Sequence, residues 1–370
     1  MTESQAYVAF SLTDQVGSVK VAELQSRFGS VAAAWEAWPK KVSRLGGEVD
    51  WAAEFTMAKK FGVTLLTPDD AAYPPQLLAE SSHPLALYVK GDVRVLANAA
   101  LAIVGTRRAS PYGIEQAEKF GRELAARGWT IVSGLALGID AAAHRGTLAA
   151  EGCAIGVIGS GLDRFYPEEN RELAREIIKK GGAVVSEFSF GRPPDRQSFP
   201  QRNHTVAALS RGVIAVEAPP RSGTLITTEM ALEMGRTVMA VPGGADSWSS
   251  RGCHKLIRSG ARLVCSAAEV EADMRELLPR LPATEHKPRR TSTVAMTVPK
   301  PKPAASPLPP VSVEEALILR EVDADGVAMD VLVRRTGLSA AKVNALCMKL
   351  RLAGRVRFLP GNRVAALREN

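Results

Sequence analysis

Val104-Gly105-Thr106-Arg107-Arg108 closes one short apolar run of this chain, and Ser133-Gly134-Leu135-Ala136-Leu137-Gly138-Ile139-Asp140 closes the next. Each run breaks at a glycine and opens into a helical pattern. A parallel α/β sheet builds an anion site in this way, with backbone N–H groups at a helix start and no side chain in front of them. The first turn also carries two arginines. A dinucleotide seldom needs two cations in its turn; a polyanion gives both a use.

The same pattern extends along the chain. Strand-like runs fall at residues 100–104, 129–133, 154–158, 183–187, 212–217, 237–241 and 262–265, with helical spacing between them at 113–127, 140–150, 168–180, 203–210 and 225–235. Short, near-continuous apolar strands alternating with helices predict a doubly wound parallel α/β sheet covered on both faces. Its crossovers should be right-handed and its ligands should sit at the carboxyl edge of the strands. A lead-in from residue 64 holds Tyr73-Pro74-Pro75 and one short strand at 85–89. Residues 1–63 have helical apolar spacing, as at 19–28 and 31–38, and predict a small all-α domain. Val16-Gly17 stands between two such segments, like a helix-hairpin-helix turn that holds a DNA phosphate on backbone amides. A second glycine two places on is missing, so DNA contact and plain helical packing both stay open there.

Charge divides unevenly. The formal net charge is +8, yet residues 1–281 carry 32 Lys and Arg against 31 acids, while residues 282–370 carry 15 against 8. A basic tail suits nucleic acid or an anionic surface, and any polyanion site upstream must be a local patch. No run of 18 apolar residues spans a bilayer and no secretion signal opens the chain, so a cytoplasmic protein without a membrane role is expected. Cys153, Cys253, Cys265 and Cys347 are scattered, have no metal spacing and read as reduced thiols.

Residues 282–311 contain 8 prolines together with Lys287, Arg289, Arg290, Lys300 and Lys302, and form a basic linker. Beyond it, residues 312–370 read as helix (314–322), helix (329–335), a Thr336-Gly337-Leu338 turn, helix (339–352) and hairpin (356–359 and 363–366). That order is a winged-helix pattern. Lys342, Lys349 and Arg351 line its third helix and Arg363 sits on the wing. With only 10 basic residues against 7 acids in this segment, DNA contact and protein contact are both open.

The strand-end loops hold the candidate chemistry. Gly105-Thr106-Arg107-Arg108 offers amides, a hydroxyl and two guanidiniums. Ser133-Gly134 adds a hydroxyl beside an open amide, and Arg164 follows Gly159-Ser160-Gly161 ahead of Tyr166-Pro167. Phe199, Arg202 and Asn203 lie just before a helix, Ser222-Gly223-Thr224 opens the next one, and Lys255 follows Pro242-Gly243-Gly244. Brought to one edge, these are the mixture that binds single-stranded nucleic acid: cations and hydroxyls for phosphates, a ring for any base. Phe199 suits a core position as well as a stacked base, and strand-end glycines are needed for tight turns whether or not a ligand binds. Asp140 suits a helix-dipole partner, and Glu187 and Glu217 suit holding arginines in place. His144 and His204 have no Cys or carboxylate at a ligand spacing. No metal or cofactor is implied.

At these residues the chain resembles the DprA/Smf family. The matching stretches are 103–113 (IVGTRRASPYG), 132–145 (VSGLALGIDAAAHR), 159–170 (GSGLDRFYPEEN), 199–203 (FPQRN), 216–224 (VEAPPRSGT) and 250–261 (SRGCHKLIRSGA), in order through about 160 residues. The resemblance implies an extended Rossmann-type domain between a SAM-like helical domain and a winged helix. It implies a non-enzymatic protein of natural transformation that binds and shields single-stranded DNA, dimerises, and helps load RecA recombinase in the presence of single-strand-binding protein. Duplex DNA is a further partner that the winged helix suggests. Carried over, Arg107 holds a phosphate, with Thr106 where the family usually has Ser, and Phe199 stacks a base. Arg202, Asn203 and Ser222-Gly223-Thr224 complete the pocket. His204 and His254 stand where the family commonly has Arg and Asn.

The competing reading is an enzyme, a LOG-type nucleoside-monophosphate phosphoribohydrolase, whose motif is Gly-Gly-x-Gly-Thr-x-x-Glu. Here Thr227 follows Gly223-Thr224 at the glutamate position, and the nearest acid, Glu229, falls on another helical face. A dinucleotide dehydrogenase fits less well, because neither Gly105 nor Gly156–Gly161 has Gly-x-Gly-x-x-Gly spacing.

Overall fold

The computed structural model describes residues 1–39, 42–44, 46–277, 312–323, 327–352, 355–359 and 363–366. The basic linker at 282–311 and the Pro360-Gly361-Asn362 turn lie outside them. Two compact units divide the chain, Met1–Thr284 and Glu285–Asn370.

The first unit is built on nine strands: β1 (Thr64–Leu66), β2 (Leu87–Gly91), β3 (Ala100–Gly105), β4 (Thr130–Ser133), β5 (Ala154–Val157), β6 (Ala183–Ser186), β7 (Gly212–Glu217), β8 (Thr237–Ala240) and β9 (Arg262–Leu263). Their order is β1-β2-β6-β5-β4-β3-β7-β8-β9. From β6 to β9 all pairings are parallel. β2 runs antiparallel to β6 and β1 antiparallel to β2. The doubly wound parallel sheet read from the sequence is therefore present, with an antiparallel edge whose outermost strand is too short, at three residues, to announce itself.

Alternation sends side chains to both faces. On β3, Leu101 and Ile103 join a core under α6 (Pro111–Ala126) and α7 (Ile139–Ala149), while Ala100, Ala102 and Val104 join the opposite one. That second core is closed by α9 (Ser198–Ala208) and α10 (Gly223–Glu233) through Val206, Ala207 and Ala231. The helix read at 203–210 begins five residues earlier. Pro200 marks a first turn rather than a break, because its missing N–H has no intrahelical partner there. Phe199 and Arg202 consequently ride on α9.

The strand order reverses between β3 and β7: β3 to β6 step one way, β7 to β9 the other. In such sheets the crevice outside the carboxyl ends at the switch point is the place for a ligand.

The N-terminal helices α1 (Glu3–Leu12), α2 (Ser18–Phe28), α3 (Val31–Glu36) and α4 (Trp51–Phe61) close on Phe10, whose ring meets Trp35 edge-on at 5.1 Å. Val8, Leu12 and Ala58 continue into Tyr88 on β2 and Phe190, so these helices and the sheet share a core. Val16 is buried, and its carbonyl accepts from Arg44. On α12 (Ala267–Leu277), Val270 and Met274 are buried; on α10, Ile226 and Leu232 stay exposed.

The second unit has α13 (Val313–Glu321), β10 (Val327–Ala328), α14 (Met329–Thr336), α15 (Ala340–Leu352), β11 (Val356–Leu359) and β12 (Arg363–Ala366). Ser312 and Glu315 cap α13 reciprocally, and Gly337 turns the chain at φ +69°. Ile318, Leu332, Val343, Cys347 and Val364 form the core beneath a β10-β12-β11 sheet. This is the winged helix read from the sequence, plus the two-residue β10.

Candidate functional site

A cleft of about 330 Å³ opens at the switch point. Gly105, Thr106 and Arg107 form one wall, Phe199, Arg202 and Asn203 of α9 another, and Ser222, Gly223, Thr224 and Thr227 at the start of α10 the third. The Arg107 guanidinium lies 4.5 Å from the centre of the Phe199 ring. This geometry attracts a cation to a π face and leaves both groups at the mouth. Tyr166 approaches the same ring at 6.1 Å and is itself exposed. An aromatic residue before a proline in an open turn was the available signal for that second ring.

The start of α10 faces the cleft with polar groups to spare. Ser222 precedes the helix without capping it, and its buried Oγ has no partner among the described residues. The first amides of a helix lack intrahelical acceptors and carry the positive end of its dipole, which favours an anion. Thr227 donates its hydroxyl back to the Gly223 carbonyl.

The glycines sort by packing. A Cβ on Gly105 would collide with Ile139, and one on Gly134 with Arg202 and Asp140, so the fold itself demands both. A Cβ on Gly223 meets nothing within 4 Å. The fold does not need that glycine; close approach of a ligand gives it a use.

Arg202 is a buried guanidinium, 4% exposed. Its Nη1 donates to the carbonyls of Gly134 and Val157, the latter at 2.6 Å, tying the ends of β4 and β5 to α9. Asp140 nearby accepts from the Gly134 amide at 3.1 Å and the Ala136 amide at 3.4 Å. Burial pushes the Arg202 pKa down to about 10 and the Asp140 carboxyl up, and their mutual attraction opposes both shifts. Asp140 thus shapes the β4 turn rather than serving only as a dipole partner. Asn170 secures that turn from below, donating to the Leu135 carbonyl at 2.9 Å.

Other sequence candidates are placed elsewhere. Ser133 is fully buried and donates to the Ile103 carbonyl at 2.6 Å, stitching β4 to β3 away from the cleft. Arg164 pairs with Asp163, Arg108 is exposed beyond the rim, and Lys255 is exposed on α11 (Arg251–Arg258); none of the three lines the cleft. His204 turns away to Ser82 at 2.7 Å, and His254 meets the Gly243 carbonyl at 3.1 Å. Glu217 holds no arginine. It accepts from the Ser110 amide and hydroxyl and from Ser249, joining the loop after β3 to the turn before α11. Glu187 accepts from Gln201 and Thr205 on α9. In the winged helix, Lys342 and Lys349 pair with Glu314 and Glu315. Arg351 lies on α15 and Arg363 on β12; their side chains are outside the described residues.

A doubly wound sheet with an anion-accepting, ring-bearing cleft at its switch point, followed by a winged helix, defines a two-unit class of α/β protein. The chain belongs to the DNA recombination-mediator protein A (DprA) family, whose model matches residues 64–275; the DprA winged helix domain matches residues 302–362. It is 38% identical over 300 residues to protein Smf of Escherichia coli, covering 81% of this chain and 76% of that one. It is 44% identical over 204 residues to DNA processing protein DprA of Streptococcus pneumoniae, covering 55% and 72%. Among solved structures, the X-ray structure of the latter protein superposes with a TM-score of 0.61 at 36% identity, over 74% of this chain and 98% of that one. DNA processing protein A of Helicobacter pylori, described for its unique single-stranded DNA binding mode, gives 0.51 at 29%, over 58% and 96%.

Proposed function

We propose that this protein binds single-stranded DNA in the switch-point cleft. Acting in the cytoplasm during DNA uptake, it shields the strand and helps load RecA recombinase against single-strand-binding protein. The observation that carries this reading is the Arg107–Phe199 pair facing the start of α10. A guanidinium and helix amides take phosphates, while the ring takes an unpaired base of any sequence. A cleft of about 330 Å³ is of a size to take a splayed nucleotide. Family membership and the Helicobacter relative's single-stranded DNA binding support the same conclusion. Dimer formation through Leu232 on α10 fits its exposure.

A non-enzymatic role fits the cleft's acid content. The carboxylate that lines it, Asp140, is turned to two backbone amides and Arg202, and Glu229 is exposed outside it. The test is a titration of labelled single strands of several sequences, with sizing by light scattering. Binding that is independent of sequence and weakened by salt is expected; equal preference for duplex overturns the reading. Release of free base from nucleoside monophosphates would establish the hydrolase instead.

A further inference from the structure

We infer that the same edge of the sheet carries a second base-stacking platform, formed by Trp248 and Arg251, for the strand that leaves the cleft. The inference rests on single-stranded DNA as the ligand. Trp248 is 60% exposed, and it alone of the five tryptophans is exposed. The Arg251 guanidinium lies 5.3 Å from its ring centre, repeating the Arg107–Phe199 arrangement on another loop. A large ring in water gains nothing for the fold, and a guanidinium beside it adds a phosphate partner.

The platform is held rigidly and tied to the cleft. The Ser250 amide donates to the Ser247 carbonyl at 3.2 Å, and Ser249 donates to Glu217. That same carboxylate accepts from Ser110 at 2.8 Å, in the loop that carries Arg107 and Arg108. Tyr112 donates to the Pro242 carbonyl at 2.6 Å and braces the two loops again. One buried acid therefore joins the loop that carries Arg107 to the turn that carries Trp248. Arg108 on the first of these loops and Lys255 on α11 are exposed, and Asp246 is an exposed acid on the platform's own loop.

The experiment compares Trp248→Ala, Trp248→Phe and Arg107→Ala on labelled oligothymidylates of about six and about twenty nucleotides, a range that spans small single-strand sites. Trp248→Ala should leave the short strand bound as in the wild type and weaken the long one roughly 5- to 150-fold, the size of one lost stack. Trp248→Phe should restore most of that loss while abolishing DNA-dependent quenching of tryptophan fluorescence. Unchanged binding of both lengths by Trp248→Ala overturns the platform, as does an equal loss for both. A fall in oligomeric mass with DNA affinity intact would make this patch a contact between copies instead. If Arg107→Ala has no effect while Trp248→Ala does, the cleft reading fails and the platform stands.

Discussion

The cleft and the winged helix carry their cations in opposite ways. The segment of net charge near zero holds Arg107 and Arg108 without an ion pair among the described residues, one of them laid over an aromatic ring. Among the described residues of the winged helix, four cations are paired with acids. Lys342 meets Glu314 at 2.5 Å, Lys349 meets Glu315 at 2.8 Å, Arg334 meets Asp330 at 3.3 Å and Arg335 meets Glu321 at 3.6 Å. A phosphate taken by any of these four has to displace a carboxylate; one taken by Arg107 does not. If DNA binds in the proposed cleft, pairing rather than net charge points to the site.

Breaking the cleft side first gives the largest effect. Phe199→Ala removes a base stack and should weaken single-strand binding by about 1–3 kcal/mol, measured by fluorescence anisotropy, for all sequences alike. Unchanged affinity would make the ring a core residue. Arg107→Ala removes one phosphate contact. The slope of log K against log salt should become shallower by about 0.7, with affinity down roughly fivefold at 0.15 M salt. A wild-type slope would place the phosphate elsewhere.

Much of the fold is legible in the sequence, and the reasons are local. The apolar runs from residue 100 onward alternate with helical spacing, and the doubly wound sheet follows from that pattern alone. β1 and β10 are not legible there, because three or two residues carry no period. The helix read at 203–210 starts at Ser198, which puts Phe199 and Arg202 on the helix that sets their spacing. The roles of Arg202 and Ser133 were not legible, because each is defined by a carbonyl on another strand: Val157 and Gly134 for the first, Ile103 for the second. A sequence announces that a hydroxyl stands at a strand end, not which neighbour takes its hydrogen bond.

The two units also hold carboxylates shifted in opposite directions, which sharpens the contrast. Burial pushes Glu187 up from its usual 4.5 to about 7, against hydrogen bonds from Thr205 and Gln201. Between those values the folded chain keeps a proton that the unfolded chain has lost, so this group costs stability as pH rises through the window. Glu315 is pulled down to about 2 by Lys349 and the Ser312 amide. Its contribution is present above about 4.5 and disappears as pH falls toward 2. Hydrogen exchange followed separately in each unit should show Glu187→Gln gaining protection over wild type above pH 7 and losing that gain near pH 4.5. Glu315→Gln should lose protection at neutral pH and converge on wild type in strong acid. Parallel pH profiles for the two variants would mean that these carboxylates do not differ as their surroundings require.

The smallest effect belongs to the winged helix's own cations. Lys342 and Lys349 are exposed, each already committed to a glutamate; Glu315 is buried, whereas Lys342–Glu314 is an exposed pair of the kind that contributes about 0–1 kcal/mol. Their replacement by alanine frees Glu314 and Glu315 as well as removing positive charge, so any phosphate contact there would be lost twice over. Single-strand affinity of the double variant should stay within about twofold of wild type and its salt slope should not move, because the counterions released on binding are those displaced at the cleft. A slope shallower by about 1.4 would mean that both lysines leave their glutamates for phosphates when DNA arrives. The ion pairs would then be a latch on a second binding surface, and the division between a free and a neutralised set of cations would fall.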